Sequence, residues 1–135
     1  MPDDNVEIVR RILDAWREGR SPAAEGLLDE EVEWVNAPEA VEPGTRRGIP
    51  AFEAAAANVV ESFENVRLEI DRMVPYGDRV LAVGTLVVRG RESSAELRQP
   101  IGQLWTLRDG RALRVELSTD PEGTRAALDA ERAPR

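Results

Sequence analysis

The sequence predicts an α+β domain, with a curved, mostly antiparallel sheet and helices packed on its concave face around an internal pocket. Three observations carry this. Amphipathic helical stripes fill the first half, interrupted by a single short strand. Four strand-like segments then follow one another, and an Asp-Gly pair joins the last two as a tight hairpin.

The elements follow in order. Asp4 with Glu7 three residues later forms a capping-box-like pair. Val6, Val9, Leu13 and Trp16 then recur at helical spacing, and Gly19 is a stop signal. Ser21-Pro22 predicts a second, short helix ending near Leu28. Val32 and Trp34 alternate with acids as a short strand with one covered face. Residues 37–50 read as a long loop, a lid or a rim. Phe52, Ala55, Ala56, Val59 and Phe63 mark one face of a helix over 49–63. Val66–Val74, Arg79–Arg89, Ala95–Leu107 and Ala112–Thr119 are the four later strands. Tyr76-Gly77-Asp78, the segment Gly90–Ser94 and Asp109-Gly110 connect them. Asp120-Pro121 opens a last helix through Leu128. With 135 residues and no linker or repeat, the chain is expected to form one domain, with its core over about residues 4–128.

Composition narrows the chemistry. The sequence has no histidine and no cysteine, so zinc, haem and iron–sulfur sites lose their usual ligands, and no metal or cofactor is expected. Triads built on histidine are excluded. All 18 basic residues are arginine, so a Schiff-base lysine is excluded too. Acid–base work falls to carboxylates, to the single tyrosine Tyr76, or to water. The net charge of -8 disfavours nucleic acid and anionic membranes as partners. No apolar run approaches the roughly 20 residues of a membrane span, and no signal peptide is evident, so a cytoplasmic location is expected.

Several short motifs occur in a telling order: Val32-Glu33-Trp34, Glu42-Pro43-Gly44-Thr45-Arg46-Arg47-Gly48, Gly77-Asp78-Arg79-Val80, Trp105-Thr106-Leu107-Arg108-Asp109-Gly110 and Thr119-Asp120. Over roughly residues 4–128 the chain resembles SnoaL-like proteins of the nuclear-transport-factor-2-like superfamily. The resemblance implies a cone with an internal pocket for a small molecule. It also places Gln103, where many relatives have histidine, and Asp120 at that pocket. Trp34 and Asn36 would lie at its wall and mouth.

Within this frame Asp120 is the candidate catalytic base. A carboxylate in an apolar cone gains basicity suited to proton abstraction beside a carbonyl, as in cyclisation or isomerisation. Asp before Pro is equally a helix N-cap. Gln103 orients a carbonyl or a water but exchanges no proton near neutral pH. Trp16, Trp34 and Trp105 offer flat apolar walls for a ring-shaped ligand, or plain core. Arg114 and Glu116 would share a face with Asp120, either to bind substrate or as a cross-strand ion pair. The functional expectation is a cofactor-free cyclase, isomerase or hydrolase of an apolar oxygenated molecule. The alternative is a non-catalytic binding or structural dimer module. A homodimer is expected through an apolar row of Leu113, Val115 and Leu117, extended by Leu104.

Overall fold

The computed structural model describes residues 2–37, 44–61, 65–89 and 95–132. Its elements are α1 (Pro2–Arg17), β1 (Leu28–Asn36), β2 (Gly44–Arg47), α2 (Ile49–Glu61), β3 (Asn65–Tyr76), β4 (Arg79–Arg89), β5 (Glu96–Arg108), β6 (Arg111–Ser118) and α3 (Pro121–Arg132). The six strands form one sheet in the order β2-β1-β6-β5-β4-β3. Every neighbouring pair is antiparallel except β1 with β6.

Residues of α1 and α2 cover one sheet face. Val9 and Ile12 of α1 and Phe52 of α2 are fully buried against Val32, Val80, Trp105 and Val115. This is the inner face. The outer face holds a smaller cluster, in which Leu128 of α3 packs with Tyr76, Leu81, Val83 and Leu104. The expectation of helices on the concave face therefore holds for α1 and α2, whereas α3 crosses to the other side.

Bends in the sheet have visible causes. The β3–β4 register slips between Ile70 and Arg72, and Gly84 sits opposite Ile70. A Cβ at Gly84 would stand 2.1 Å from the Glu69 carbonyl oxygen, so only glycine fits that close approach. The Asp109-Gly110 turn places both residues at positive φ, 54° and 77°, as a two-residue type I′ hairpin requires.

Three expectations are corrected. Residues 22–26 form consecutive turns rather than a helix, with Glu25 and Leu27 N–H groups both bonding the Pro22 carbonyl. Gly26 takes a left-handed φ of 71°, and the chain leaves at once into β1. Within the predicted loop 37–50, residues 44–47 form the edge strand β2, whose backbone pairs with β1. Finally, Leu113, Val115 and Leu117 are not an uncovered row. A second bulge sets Arg114 opposite Thr106 and Ala112 opposite Leu107, leaving Leu113 without a register partner. Val115 is fully buried in the inner core, and Leu117 packs against it. Val59 and Phe63, read above as part of a helix face, and the segment 90–94, read as a connection, lie outside the described residues or side chains.

Candidate functional site

Register determines which side chains meet. Trp34 of β1 stands opposite Val115 of β6, and Val115 stands opposite Trp105 of β5. Directly opposed residues share a face. One inner row therefore reads Trp34, Val115, Trp105, with Val80 of β4 next to Trp105. In the next row Leu117 faces Gln103, and Gln103 faces Ala82. Asn36 is two residues beyond Trp34 on β1, so it points to the same side.

Four rings occupy the space beneath the two helices. Trp34 meets Phe52 edge-on at 5.4 Å between centroids, and Trp16 stacks on Phe52 at 6.0 Å. Trp16 lies 5.9 Å from Trp105. Trp105 has no exposed surface, whereas Trp16 is half-buried. The three tryptophans proposed as ligand walls thus pack on one another through Phe52. Trp105 and Trp34 both act as core, and of the three only Trp16 retains open surface.

Two indole N–H groups are spent on two amides. Trp34 Nε1 donates to Asn36 Oδ1 at 2.7 Å, and Trp105 Nε1 donates to Gln103 Oε1 at 3.1 Å. An indole can only donate, so the amide atom facing it must be oxygen. This determines which end of Gln103 is which. Its oxygen is held by Trp105, and its NH2 end points away, where no described residue accepts it. Gln103 is itself buried, with 6% of its surface accessible. Among the described residues it is the one buried side chain of polar or charged type.

Asp120 and Glu116 stand elsewhere. Glu116 pairs with Leu104 and Val35, a row of the outer face. Asp120 is exposed at the start of α3, where its Oδ1 accepts the Gly123 N–H at 3.0 Å and its carbonyl accepts that of Thr124. Gly123 is matched to this cap, because a Cβ there would collide with the Asp120 carboxylate. The two acids line an outer groove of about 510 Å³ with Leu104, Ser118, Thr124 and Ala127. The expectation that Asp120 and Glu116 join Gln103 at one interior site is corrected by strand parity. Along β6 the residues 114, 116 and 118 face outward, and the chain enters α3 on that same side.

The outer face is instead a charge ladder. Arg47 bonds Glu33 through Nε and Nη2 at 2.9 and 2.6 Å, and Arg114 reaches Glu33 at 3.4 Å and Glu116 at 3.7 Å. The cross-strand ion pair read for Arg114 is present, with Glu33 as its nearer acid. Tyr76, read from sequence as a turn residue, ends β3 buried on this face and donates to Asp129 at 2.9 Å. Burial first, and then the Asp129 carboxylate, raise its pKa. Among the described residues no group of His, Cys, Asp or Glu side chains is gathered to hold a metal ion. Nor is any helix among them long and apolar enough to cross a membrane.

One inner-face residue escaped the sequence reading. Arg46 of β2 lies opposite Trp34 and is half-buried. A four-residue strand, Gly-Thr-Arg-Arg, carries no alternation of apolar and polar residues, so no sequence signal could place it.

Comparison with known proteins gives a consistent picture. Residues 9–115 match a family model described as the SnoaL-like domain. None of the curated proteins matches the chain significantly. Among solved structures, TerC co-crystallised with polyporic acid is 23% identical, with a TM-score of 0.74 over 93% of this chain and 98% of that one. An NTF2-like protein of unknown function from Burkholderia pseudomallei is 21% identical, with a TM-score of 0.74 over 93% and 97%. A hypothetical protein of ketosteroid isomerase-like fold from Catenulispora acidiphila, in complex with trimethylamine, is 20% identical, with a TM-score of 0.70 over 83% and 84%. At these identities the likeness establishes the fold alone.

Proposed function

The chain belongs to the SnoaL-like domain family, and on that footing we propose that its inner face binds a small, apolar, oxygenated molecule without covalent chemistry. The carrying observation is Gln103. Its oxygen is tied to Trp105, and its amide hydrogens meet no acceptor among the described residues. The NH2 end is thereby left free to donate, and a ligand carbonyl or ether oxygen can accept from it. Half-buried Leu117 directly opposite Gln103, and half-buried Asn36 on the same side of β1, suit a small apolar body carrying one oxygen. A neutral amide holds a carbonyl but moves no proton. The candidate base Asp120 is exposed on the opposite face with its carboxylate engaged as a cap. Binding is therefore favoured over acid–base turnover.

Tryptophan fluorescence tests this, because Trp105 touches Gln103 directly. Polyporic acid, seen with TerC, and simple aromatic ketones serve as probes. Saturable quenching is expected, weakened about three- to tenfold in Gln103→Leu, the value of one hydrogen bond. Affinity unchanged in that variant would remove Gln103 from the site.

A further inference from the structure

Gln103 asks for one oxygen on the ligand. A second indole–amide pair stands on the same face. Trp34 and Asn36 of β1 repeat, in reverse order, what Gln103 and Trp105 do on β5. Each strand carries a tryptophan and an amide two residues apart, and the indole N–H donates to the amide oxygen. The topology makes that reversal meaningful. β1 runs parallel to β6, and β6 antiparallel to β5, so β1 and β5 point in opposite directions. Trp-x-Asn on one and Gln-x-Trp on the other therefore set both indoles in one row and both amides in the next. The indole row is Trp34, Val115, Trp105. One residue past the Val35–Glu116 pair, Asn36 comes level with Leu117, and Leu117 stands directly opposite Gln103.

We propose that the ligand carries two carbonyl oxygens on opposite sides of one six-membered ring, and that Asn36 and Gln103 each donate to one of them across Leu117. This rests on the binding of an oxygenated molecule at the inner face and adds a second contact to it. Both indoles are buried, and an indole can only donate. Each amide oxygen is therefore turned to its tryptophan, and each NH2 group is turned away from it. A primary amide has two N–H donors, and the ligand needs one from each.

The spacing fits that ligand. Residues level with each other but two strands apart are separated by about 10 Å, and side chains of one row stand side by side off the sheet. Two N–H···O bonds of about 2.9 Å take up more than half of that gap, and what remains is about the width of one ring. Half-buried Leu117 between the amides supplies an apolar floor. Ala82, on the far side of Gln103, adds no polar group. The row therefore offers a donor at either end and nothing but hydrocarbon between them.

Two probes of like size test this: 1,4-cyclohexanedione, with two opposed carbonyls, and cyclohexanone, with one. Each is titrated into the isotope-labelled chain, and binding is followed by NMR through the side-chain NH2 signals of Asn36 and Gln103. The dione is expected to move both signals and to bind about three- to tenfold more tightly than the monoketone, the value of one further hydrogen bond. Asn36→Asp leaves an oxygen for the Trp34 indole and removes only the N–H donors. In that variant the dione is expected to lose its advantage, while cyclohexanone binds as before. The wild-type comparison stands whether or not the variant folds. Equal affinity for the two probes, with Gln103 responding, would overturn the second contact and leave the single one at Gln103 in place. A preference for the dione that survives in folded Asn36→Asp would overturn it too. A Gln103 signal that neither probe moves at saturating millimolar concentration would overturn both.

Discussion

The two faces of the β5–β6 hairpin lie back to back and are built on opposite plans. The inner face carries Trp105, Val115 and Leu117, with the neutral Gln103 as its polar group. The outer face carries Arg114, Glu116 and Ser118, and beyond them Asp120 and α3. Only one residue of sequence separates neighbours on the two faces, yet the environments differ in charge, water access and role. On the inner face the NH2 group of Gln103 meets no acceptor among the described residues. The outer face has several ion pairs at the solvent boundary, where each is worth little, and the Arg114 Nε within them is buried with no hydrogen-bond partner among the described residues. Charged residues clustered in sequence near a strand end therefore say little about a site until their side of the sheet is known.

The largest expected effect breaks the inner plan. Trp105→Ala removes a fully buried indole that touches Trp16 and Phe52 and holds Gln103. A loss of about 3–5 kcal/mol is expected in denaturant unfolding, typical of large aromatic truncation in a core. A loss under about 1 kcal/mol would show that the four rings do not form the core described.

A smaller effect probes the anchoring of α3 to the outer face. Tyr76→Phe deletes the bond to Asp129 and should cost on the order of 1 kcal/mol. The pH dependence has a definite sign. The folded pKa of Tyr76 is raised above its ordinary 10.0, so the native state holds this proton more tightly than the unfolded chain. That stabilisation is complete below about pH 10 and is lost as pH rises through the folded value. Between about pH 9 and 11 the wild-type Tm should fall more steeply than that of Tyr76→Phe. Parallel curves would place Tyr76 in water.

The smallest effect sharpens the contrast at Asp120. Asp120→Ala should cost about 1 kcal/mol through the lost cap, whereas Asp120→Asn, which caps as well, should be nearly silent in stability and in probe binding. Any turnover found for this protein that disappears in Asp120→Asn would restore the carboxylate as a base. It would also require a ligand on the outer groove.

Much of the fold was legible in the chain because it follows from local rules. The stripe Val6, Val9, Leu13 and Trp16 predicts α1 and the face it buries, and Val9 is fully buried. Asp109-Gly110 predicts the hairpin, because few other pairs accept two positive φ angles. The candidate site was legible in composition but not in arrangement. Gln103, Trp105, Trp34 and Asn36 were named from strand parity and family resemblance, and they do share the inner face.

What the sequence by itself determined is the set of periodic elements, their order and the available chemistry: a chain without histidine, cysteine or lysine has carboxylates, one phenol, serine and threonine hydroxyls, amides and arginines to work with. Only the tertiary structure decided which side of the sheet each of these occupies. A strand's side chains alternate with period two, so one bulge is enough to exchange faces, and bulges leave no reliable mark in a single sequence. The slip at Thr106–Leu107 brought both Ala112 and Val115 inward and kept Leu113 from the row it was expected to join. The pairing of Trp34 with Arg46, and the fact that α3 docks opposite α1 and α2, are likewise contacts between residues far apart in sequence, and no local pattern encodes them.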